Sequence, residues 1–149
     1  MVTNVDAVTV FNGRTDKIER RKVYIPTIIK GVSYVEAKGS SVADNGVWSA
    51  DVQYKVRIPM AARVQKNRAY LPEQRYAKLE QEEDLGYWTI SKGDFIICGE
   101  YTGEKLLLYE DELQIYVRET CTEQIRITEY ADNTAGGSLY MRHWRIGGK

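Results

Sequence analysis

The stretch VWSADVQYKVRI, residues 47–58, carries the strongest periodic signal in the chain. Its hydrophobic residues fall on even positions: Trp48, Ala50, Val52, Tyr54, Val56 and Ile58. Its polar residues fall on odd positions: Ser49, Asp51, Gln53, Lys55 and Arg57. Because successive side chains of a strand point to opposite faces, this alternation predicts a long antiparallel strand with the even positions in the core and one wet face. Pro59 is expected to end the strand, since proline has no N–H for the ladder.

Three further extended segments are predicted upstream, at residues 7–11, 17–30 and 32–37. The first is expected to end at the turn pair Asn12-Gly13. Pro26 interrupts the second, which suggests an edge or a bulge, and Gly31 turns the chain into the third. Residues 38–46, KGSSVADNG, are polar and rich in glycine and serine, so we expect a flexible loop there.

The middle of the chain, residues 60–86, is predicted to leave the sheet as a helical excursion. Pro72 suits the first position of a helix, where its missing N–H costs nothing. Tyr76 and Leu79 would then face inward. Acidic residues crowd the far end of this segment, where a helix prefers cations, so the helix is expected to fray before Gly86.

The remaining elements follow from short apolar runs and one helical pattern. Two strands, residues 87–90 and 95–98, are predicted around the turn Lys92-Gly93-Asp94. Leu106, Tyr109, Leu113 and Tyr116 lie at helical spacing, which predicts a helix over residues 106–118. A closing hairpin is expected from residues 125–130 and 139–146, turning at 132–138. The chain, residues 1–149, is therefore expected to be one domain of the mainly β class, a small antiparallel barrel or sandwich with one or two short helical excursions.

The charge composition disfavours a nucleic-acid binder. Lysine plus arginine and aspartate plus glutamate both number 21, giving a net charge of zero, whereas such binders usually show a basic excess. The chain has eleven tyrosines and three tryptophans against two phenylalanines. Residues with an apolar body and a polar edge suit protein interfaces, although strands also favour aromatic residues for packing alone.

The residues available for catalysis are few. His143 is the only histidine, which excludes a multi-histidine metal site or a two-histidine relay. It could pair with Cys98 or Cys121, but neither cysteine has a recognised nucleophile context. The acidic residues come in consecutive runs without an apolar setting to raise a pKa, and the glycines form no phosphate-binding pattern. We therefore expect a protein that is not an enzyme and holds no cofactor or metal.

Cysteine use and hydropathy indicate the compartment. Two cysteines are too few for a disulfide framework, and Cys98 lies in the apolar run FIIC, where it is expected to be a small core residue. No apolar stretch approaches the length of a membrane span, and the first residues lack the pattern of a signal peptide. We expect a reducing, cytoplasm-like environment and no membrane contact.

Five segments in a fixed order resemble a known family: VTVFN at 8–12, IKGVSY at 29–34, DVQYKVRIP at 51–59, ISKGDFIICG at 90–99 and HWRIGGK at 143–149. They are similar to the small head–tail connector proteins of tailed phages and prophages of Gram-positive bacteria. Within these, the likeness is to the head-closure or stopper group, often labelled minor capsid protein. It covers most of the chain, excluding residues 60–85. The chain is longer than the most compact stoppers, and the second-half helix is not part of their minimal barrel.

The resemblance implies a β-barrel that assembles as a homo-oligomeric ring beneath the portal and its adaptor. Such a ring closes the DNA-filled head and presents a docking surface for tail proteins. The implied location is the head–tail interface of the virion, after assembly in the host cytoplasm, with transient proximity to packaged DNA.

The predicted site residues belong to two groups. The loop at residues 38–46 is interpreted as a channel loop, with Gly39, Ser40, Ser41, Asp44 and Asn45 as its polar residues; the alternative is an ordinary hairpin loop. The assembly surface is predicted to include Tyr76, His143 and Trp144.

Three other functions remain open from the sequence. The nearest is another neck or tail component, such as a tail-completion or tail-terminator protein. A second is a barrel that binds single-stranded nucleic acid, with tyrosine and tryptophan as stacking platforms, which needs a positive groove beside the aromatic residues. An enzyme is the third, and the lone His143 makes it the weakest.

Overall fold

A computed structural model of the chain describes residues 6–42, 48–80, 83–135 and 141–149; along 37–42 and 48–52 it describes the backbone. The strands are β1 Asp6–Thr15, β2 Lys22–Val42, β3 Trp48–Pro59, β4 Arg63–Val64, β5 Ala69–Tyr70, β6 Tyr87–Trp88, β7 Phe95–Cys98, β8 Leu108–Tyr109, β9 Gln124–Asn133 and β10 His143–Gly148. The α-helices are α1 Glu73–Tyr76 and α2 Glu110–Thr120, and short 3-10 turns lie at Gln65–Asn67 and Glu83–Gly86.

Six strands close into an antiparallel barrel. Around the wall the order is β1, β7, β9, β10, β3 and β2, and β2 then pairs with β1 to complete the circuit. Strand β2 belongs to both halves of the wall, pairing with β1 up to Val32 and with β3 from Ser33 onward. Gly31 lies between these halves with φ +84°, a conformation that suits glycine because it has no Cβ. The mainly β fold with short helices predicted from the sequence is confirmed.

Residues 48–58 of the periodic stretch lie in β3. Val56 and Ile58 are 1% and 0% exposed, whereas Lys55 is exposed, so the described even positions face the core as predicted. The side chains of Trp48, Ala50 and Val52 lie outside the described residues. Pro59 is the last residue of the strand, also as predicted.

Two apolar clusters lie on opposite sides of one part of the wall. The inner cluster fills the barrel with Val8, Val10, Ile29, Val32, Val56, Ile58, Trp88, Ile90, Ile96, Ile125, Ile127, Trp144 and Ile146. The outer cluster joins α2 to the outside of β1 and β7 through Phe11, Tyr24, Phe95, Ile97, Leu108 and Leu113. Strands β1 and β7 are therefore buried on both faces. The wall made by β3 and β10 is different, because Lys55 and Arg145 are exposed on its outer face.

The expected turn at Asn12-Gly13 is wrong. Strand β1 continues through both residues to Thr15, and the hairpin turns over residues 16–21 instead. Asn12 is 1% exposed, and its amide forms hydrogen bonds with both the N–H and the C=O of Thr89. The Asn12 side chain therefore bonds to a residue distant in sequence, and not to a neighbouring residue as it would in a turn. Asp16 makes the actual turn, where its carboxylate accepts hydrogen bonds from the N–H groups of Ile18 and Glu19.

Pro26 does not interrupt β2. It lies opposite Phe11, and odd-numbered residues of β1 direct their backbone groups toward β7, since the Ala7 carbonyl accepts from the Gly99 N–H. The ladder between β1 and β2 therefore requires no donor from Pro26. Its carbonyl on the other edge accepts a hydrogen bond from Arg68 at 2.7 Å.

The excursion contains less helix than predicted. Helix α1 is a single turn, and Pro72 lies just before it as the N-cap residue rather than at the first helical position. Tyr76 is buried as expected, whereas Leu79 is only partly buried. The strand predicted at 87–90 shrinks to β6, which pairs in parallel with β5 and not with β7.

The second predicted helix begins four residues late. Leu106 and Leu107 are 52% and 42% exposed, and the chain forms the two-residue strand β8 before α2 starts at Glu110. The capping carboxylate of Glu112 accepts the N–H of Tyr109 and fixes this start. The closing hairpin is confirmed as β9 and β10 in antiparallel register.

Candidate functional site

The most unusual element is a two-stranded ribbon that extends beyond the barrel. Strand β10 ends its pairing with β3 at Gly148 opposite Tyr54, whereas β2 and β3 continue together for six further pairs, from Ala37–Gln53 to Val42–Trp48. Within the described residues these pairs have no third strand beside them. At about 3.3 Å per residue the ribbon reaches about 20 Å from the barrel. We call this element, residues 37–42 and 48–53, the ribbon.

The ribbon changes the interpretation of the predicted channel loop. Gly39, Ser40 and Ser41 are strand residues paired with Asp51, Ala50 and Ser49, so the flexible loop predicted over 38–46 is wrong for its first five residues. Composition suggested a loop, but the backbone hydrogen bonds are supplied by the partner strand. The other two residues, Asp44 and Asn45, lie outside the described residues.

The predicted assembly residues do not share an exposed surface. Tyr76 and Trp144 are 3% and 8% exposed, so both contribute to the interior of the folded chain, and only His143 is partly exposed. The ring of Trp144 packs against those of Tyr70 and Trp88, with centroids 4.8 and 5.1 Å away. These aromatic side chains join β5 of the excursion, and β6 directly after it, to the barrel core.

A buried polar junction joins β1 to the segment between β6 and β7, and Arg14 of β1 contacts the excursion beside it. Asp94 is 4% exposed, and its carboxylate accepts hydrogen bonds from the Asn12 amide at 3.3 Å and the Gly13 N–H at 3.2 Å. Burial raises the pKa of Asp94 to about 6, partly opposed by those two hydrogen bonds. Nearby, Arg14 forms an ion pair with Asp84 at 3.3 Å and donates to the Leu79 carbonyl at 2.5 Å.

The carboxylates of this junction are engaged in structural contacts. Glu73 accepts hydrogen bonds from the Ser91 hydroxyl at 2.6 Å and the Tyr130 hydroxyl at 2.9 Å, which links α1 to β9. Glu73 and Asp94 both line a cleft of about 460 Å³, together with Lys22. Two carboxylates in one cleft can form an acid–base arrangement, but here Glu73 is bound to Ser91 and Tyr130, and Asp94 to Asn12 and Gly13.

The candidate base His143 is in contact with other groups, and the candidate nucleophile Cys98 is held in its protonated form. Both ring nitrogens of His143 lie near other groups, the Met141 carbonyl at 2.7 Å and the Asn133 amide at 3.4 Å. Burial, aided by Glu123, raises the pKa of the Cys98 thiol to about 11, so that it is protonated at neutral pH. A protonated thiol is a poor nucleophile. Cys121 is exposed and ends α2 with φ +52°.

Two absences concern only the described residues. They contain no group of three or more histidine, cysteine, aspartate or glutamate side chains placed to hold a metal ion. None of their helices combines the length and apolar character needed to span a membrane.

The sequence analysis did not predict a basic patch on the outer face of β3 and β10, which is exposed to solvent. Lys55 and Arg57 lie on the outer face of β3, and Arg145 is directly opposite Arg57 on β10. We call these three residues the basic wall. The signal was present in the alternation of 47–58, which places Lys55 and Arg57 on the wet face, but the pairing with Arg145 depends on long-range register.

The geometry defines a class of protein: a small closed antiparallel barrel, capped by an excursion and extended by a ribbon. The chain belongs to a family of unknown function (DUF6751), whose sequence profile matches residues 2–149. No curated protein matches the chain, and no solved structure matches it.

Proposed function

We propose that the protein is a structural component of the phage neck, which forms a ring at the head–tail interface, closes the DNA channel and docks the tail. The proposal combines the resemblance of the five segments to head-closure connectors with the shape of the folded chain. The portal and adaptor proteins on one side and tail proteins on the other are its proposed partners.

The ribbon is the observation that carries this proposal. A compact barrel supplies a rigid body for ring contacts, and the ribbon supplies an arm of about 20 Å that leaves it. In a ring, one such arm from each subunit would converge on the axis. Several arms can narrow a channel that no single one could close.

The buried polar junction also favours a structural role. Asn12 and Asp94 hold the segment before β7 against β1, and Glu73 links the excursion to Ser91 and to Tyr130 of β9. A net charge of zero also means that subunits carry no net charge that would oppose their association.

Shortening the ribbon tests the proposal. Lys38 and Val52 are paired, so replacing residues 39–51 with Asn-Gly should close a two-residue hairpin without changing the register of the barrel. We expect heads that carry this variant to package DNA normally and to lose it before tails attach. The measurement is the DNA content of purified tailless heads.

A matched control inserts the same Asn-Gly pair between Gly103 and Glu104, two exposed residues outside the ribbon. Heads with the shortened ribbon that retain DNA as well as wild type would show that the ribbon does not close the channel. Retention of the purified wild-type chain on a single-stranded DNA column, at a salt concentration that releases the shortened variant, would favour the nucleic-acid-binding alternative.

A further inference from the structure

The basic wall places two like charges directly opposite one another. Arg57 and Arg145 are cross-strand partners, and their Cα atoms are therefore about 5 Å apart. Their neighbours along the strands, Val56 and Ile146, are buried, so both guanidinium groups lie on the outer face. Like charges in this position destabilise a sheet. None of the ion pairs in the described residues includes either arginine.

The surface next to these arginines is concave. A groove of about 270 Å³ is lined by Lys55, Arg145, Tyr130 and Gly147, with Glu129 as its one carboxylate. Gly147 contributes no side chain to the groove, and the Glu129 side chain lies over this glycine, with its Cγ 2.7 Å from the place of a Cβ on Gly147. An anionic partner with a small apolar group would neutralise the arginines and fill this groove.

Helix α2 presents the complementary pattern. Ile115 is 49% exposed at the centre of its outward face, and Asp111 and Glu119 lie one turn before and one turn after it. Both acidic residues are exposed. Asp111 contacts Arg21 at 3.3 Å, but both side chains are more than half exposed, and such pairs contribute little.

The two surfaces lie on opposite sides of the barrel. Helix α2 covers the outside of β1 and β7, whereas the basic wall is the outside of β3 and β10. Two different surfaces facing away from one another are what a head-to-tail ring contact requires. We propose that the basic wall binds α2 of a second copy of this chain, with Ile115 in the groove and Asp111 and Glu119 against Lys55, Arg57 and Arg145. This inference rests on the proposed ring.

Zero-length cross-linking tests the contact directly. Equal amounts of ¹⁴N- and ¹⁵N-labelled wild-type protein are mixed at high concentration and treated with a carbodiimide, which joins a lysine amine to a carboxylate with loss of water. We expect mixed-isotope peptides that link Lys55 to Asp111 or Glu119. They should disappear at about 1 M salt, where charges are screened beyond about 3 Å.

Charge reversal provides the specificity control. Arg57→Glu with Arg145→Glu, and separately Asp111→Arg with Glu119→Arg, should each reduce self-association about tenfold or more. An equimolar mixture of the two double variants should restore it, because each reversed surface then meets its complement. Glu80→Arg with Glu83→Arg, reversed on the exposed part of the excursion, is the matched control and should associate as wild type does.

Several results would overturn the inference. One is the absence of a mixed-isotope link at Lys55. Another is unchanged self-association of either double variant, and a third is a mixture of the two variants in which self-association is not restored. If the wild-type chain binds the single-stranded DNA column and the arginine double variant does not, while this variant self-associates normally, the basic wall is a nucleic-acid-binding surface instead. If the chain is found at the neck but its self-association is insensitive to charge reversal, only this contact is refuted. If copies of the chain associate through this contact but the chain is absent from the neck, only the proposed function is refuted.

Discussion

Replacing Asp94 with asparagine is expected to remove a pH dependence from the stability of the fold. The carboxyl is 4% exposed, and burial raises its pKa from the ordinary 3.8 to about 6. The folded chain therefore holds this proton more tightly than the unfolded chain does. By linkage, the stabilising contribution is fully present below pH 4 and is lost as the pH rises to about 6.

The size of the effect follows from the shift. One pKa unit corresponds to about 1.4 kcal/mol, so ionisation of Asp94 lowers the free energy of unfolding by about 3 kcal/mol above pH 6. Asparagine cannot ionise, so it removes this term. It keeps one oxygen for the Gly13 N–H but turns an NH₂ group toward the Asn12 amide, which itself destabilises by about 1–3 kcal/mol at every pH. The difference in pH slope, rather than the absolute stability, is therefore the informative quantity.

Urea unfolding followed by tryptophan fluorescence at several pH values between 4 and 7 measures this slope. Relative to Asp94→Asn, the wild-type chain should lose about 2–3 kcal/mol across that range. Asp111→Asn, which removes an exposed carboxylate, is the control and should keep the wild-type slope. If Asp94→Asn follows the wild-type curve in parallel, the junction does not hold a carboxyl with a raised pKa, and the reasoning is wrong.

Three further predictions concern packing and assembly. Val56→Asp should cost several kcal/mol and unfold the barrel, whereas Lys55→Asp on the opposite face should fold, as judged by circular dichroism. Gly148→Ala should lower the melting temperature, because a Cβ there would lie 2.4 Å from the Arg126 carbonyl; Gly86→Ala, with nothing within 4 Å, should not. The isolated chain should be monomeric in dilute solution by light scattering, and a stable ring would show that no upstream partner is needed.

Local periodicity was sufficient to predict β3, because alternation over twelve residues depends only on which face is wet. The same holds for β7 and for the closing hairpin, which are short apolar runs between turn residues. These elements determined the fold class. The extent of β2 was not predictable, since Gly39 and Ser40 are strand residues only because β3 pairs with them.

The candidate site was harder to predict from the sequence, because its contacts also join residues that are distant in the chain. Asn12 is a common turn residue, and its actual partners lie 77 residues away in sequence, at Thr89. Tyr76 and Trp144 were assigned to a surface because tyrosine and tryptophan favour interfaces, but each packs into the interior. Arg145 joins Arg57 only through register, so no local pattern could indicate the basic wall.

The central claim is the proposed place of the chain in a virion, and electron cryo-microscopy of particles purified from lysates of the cells that produce the chain tests it most directly. With an affinity tag at the C-terminus, we expect a ring of tagged barrels between the portal and the tail, with ribbons directed at the axis. Tagged density only elsewhere in the particle, or intact virions that lack the chain, would contradict it.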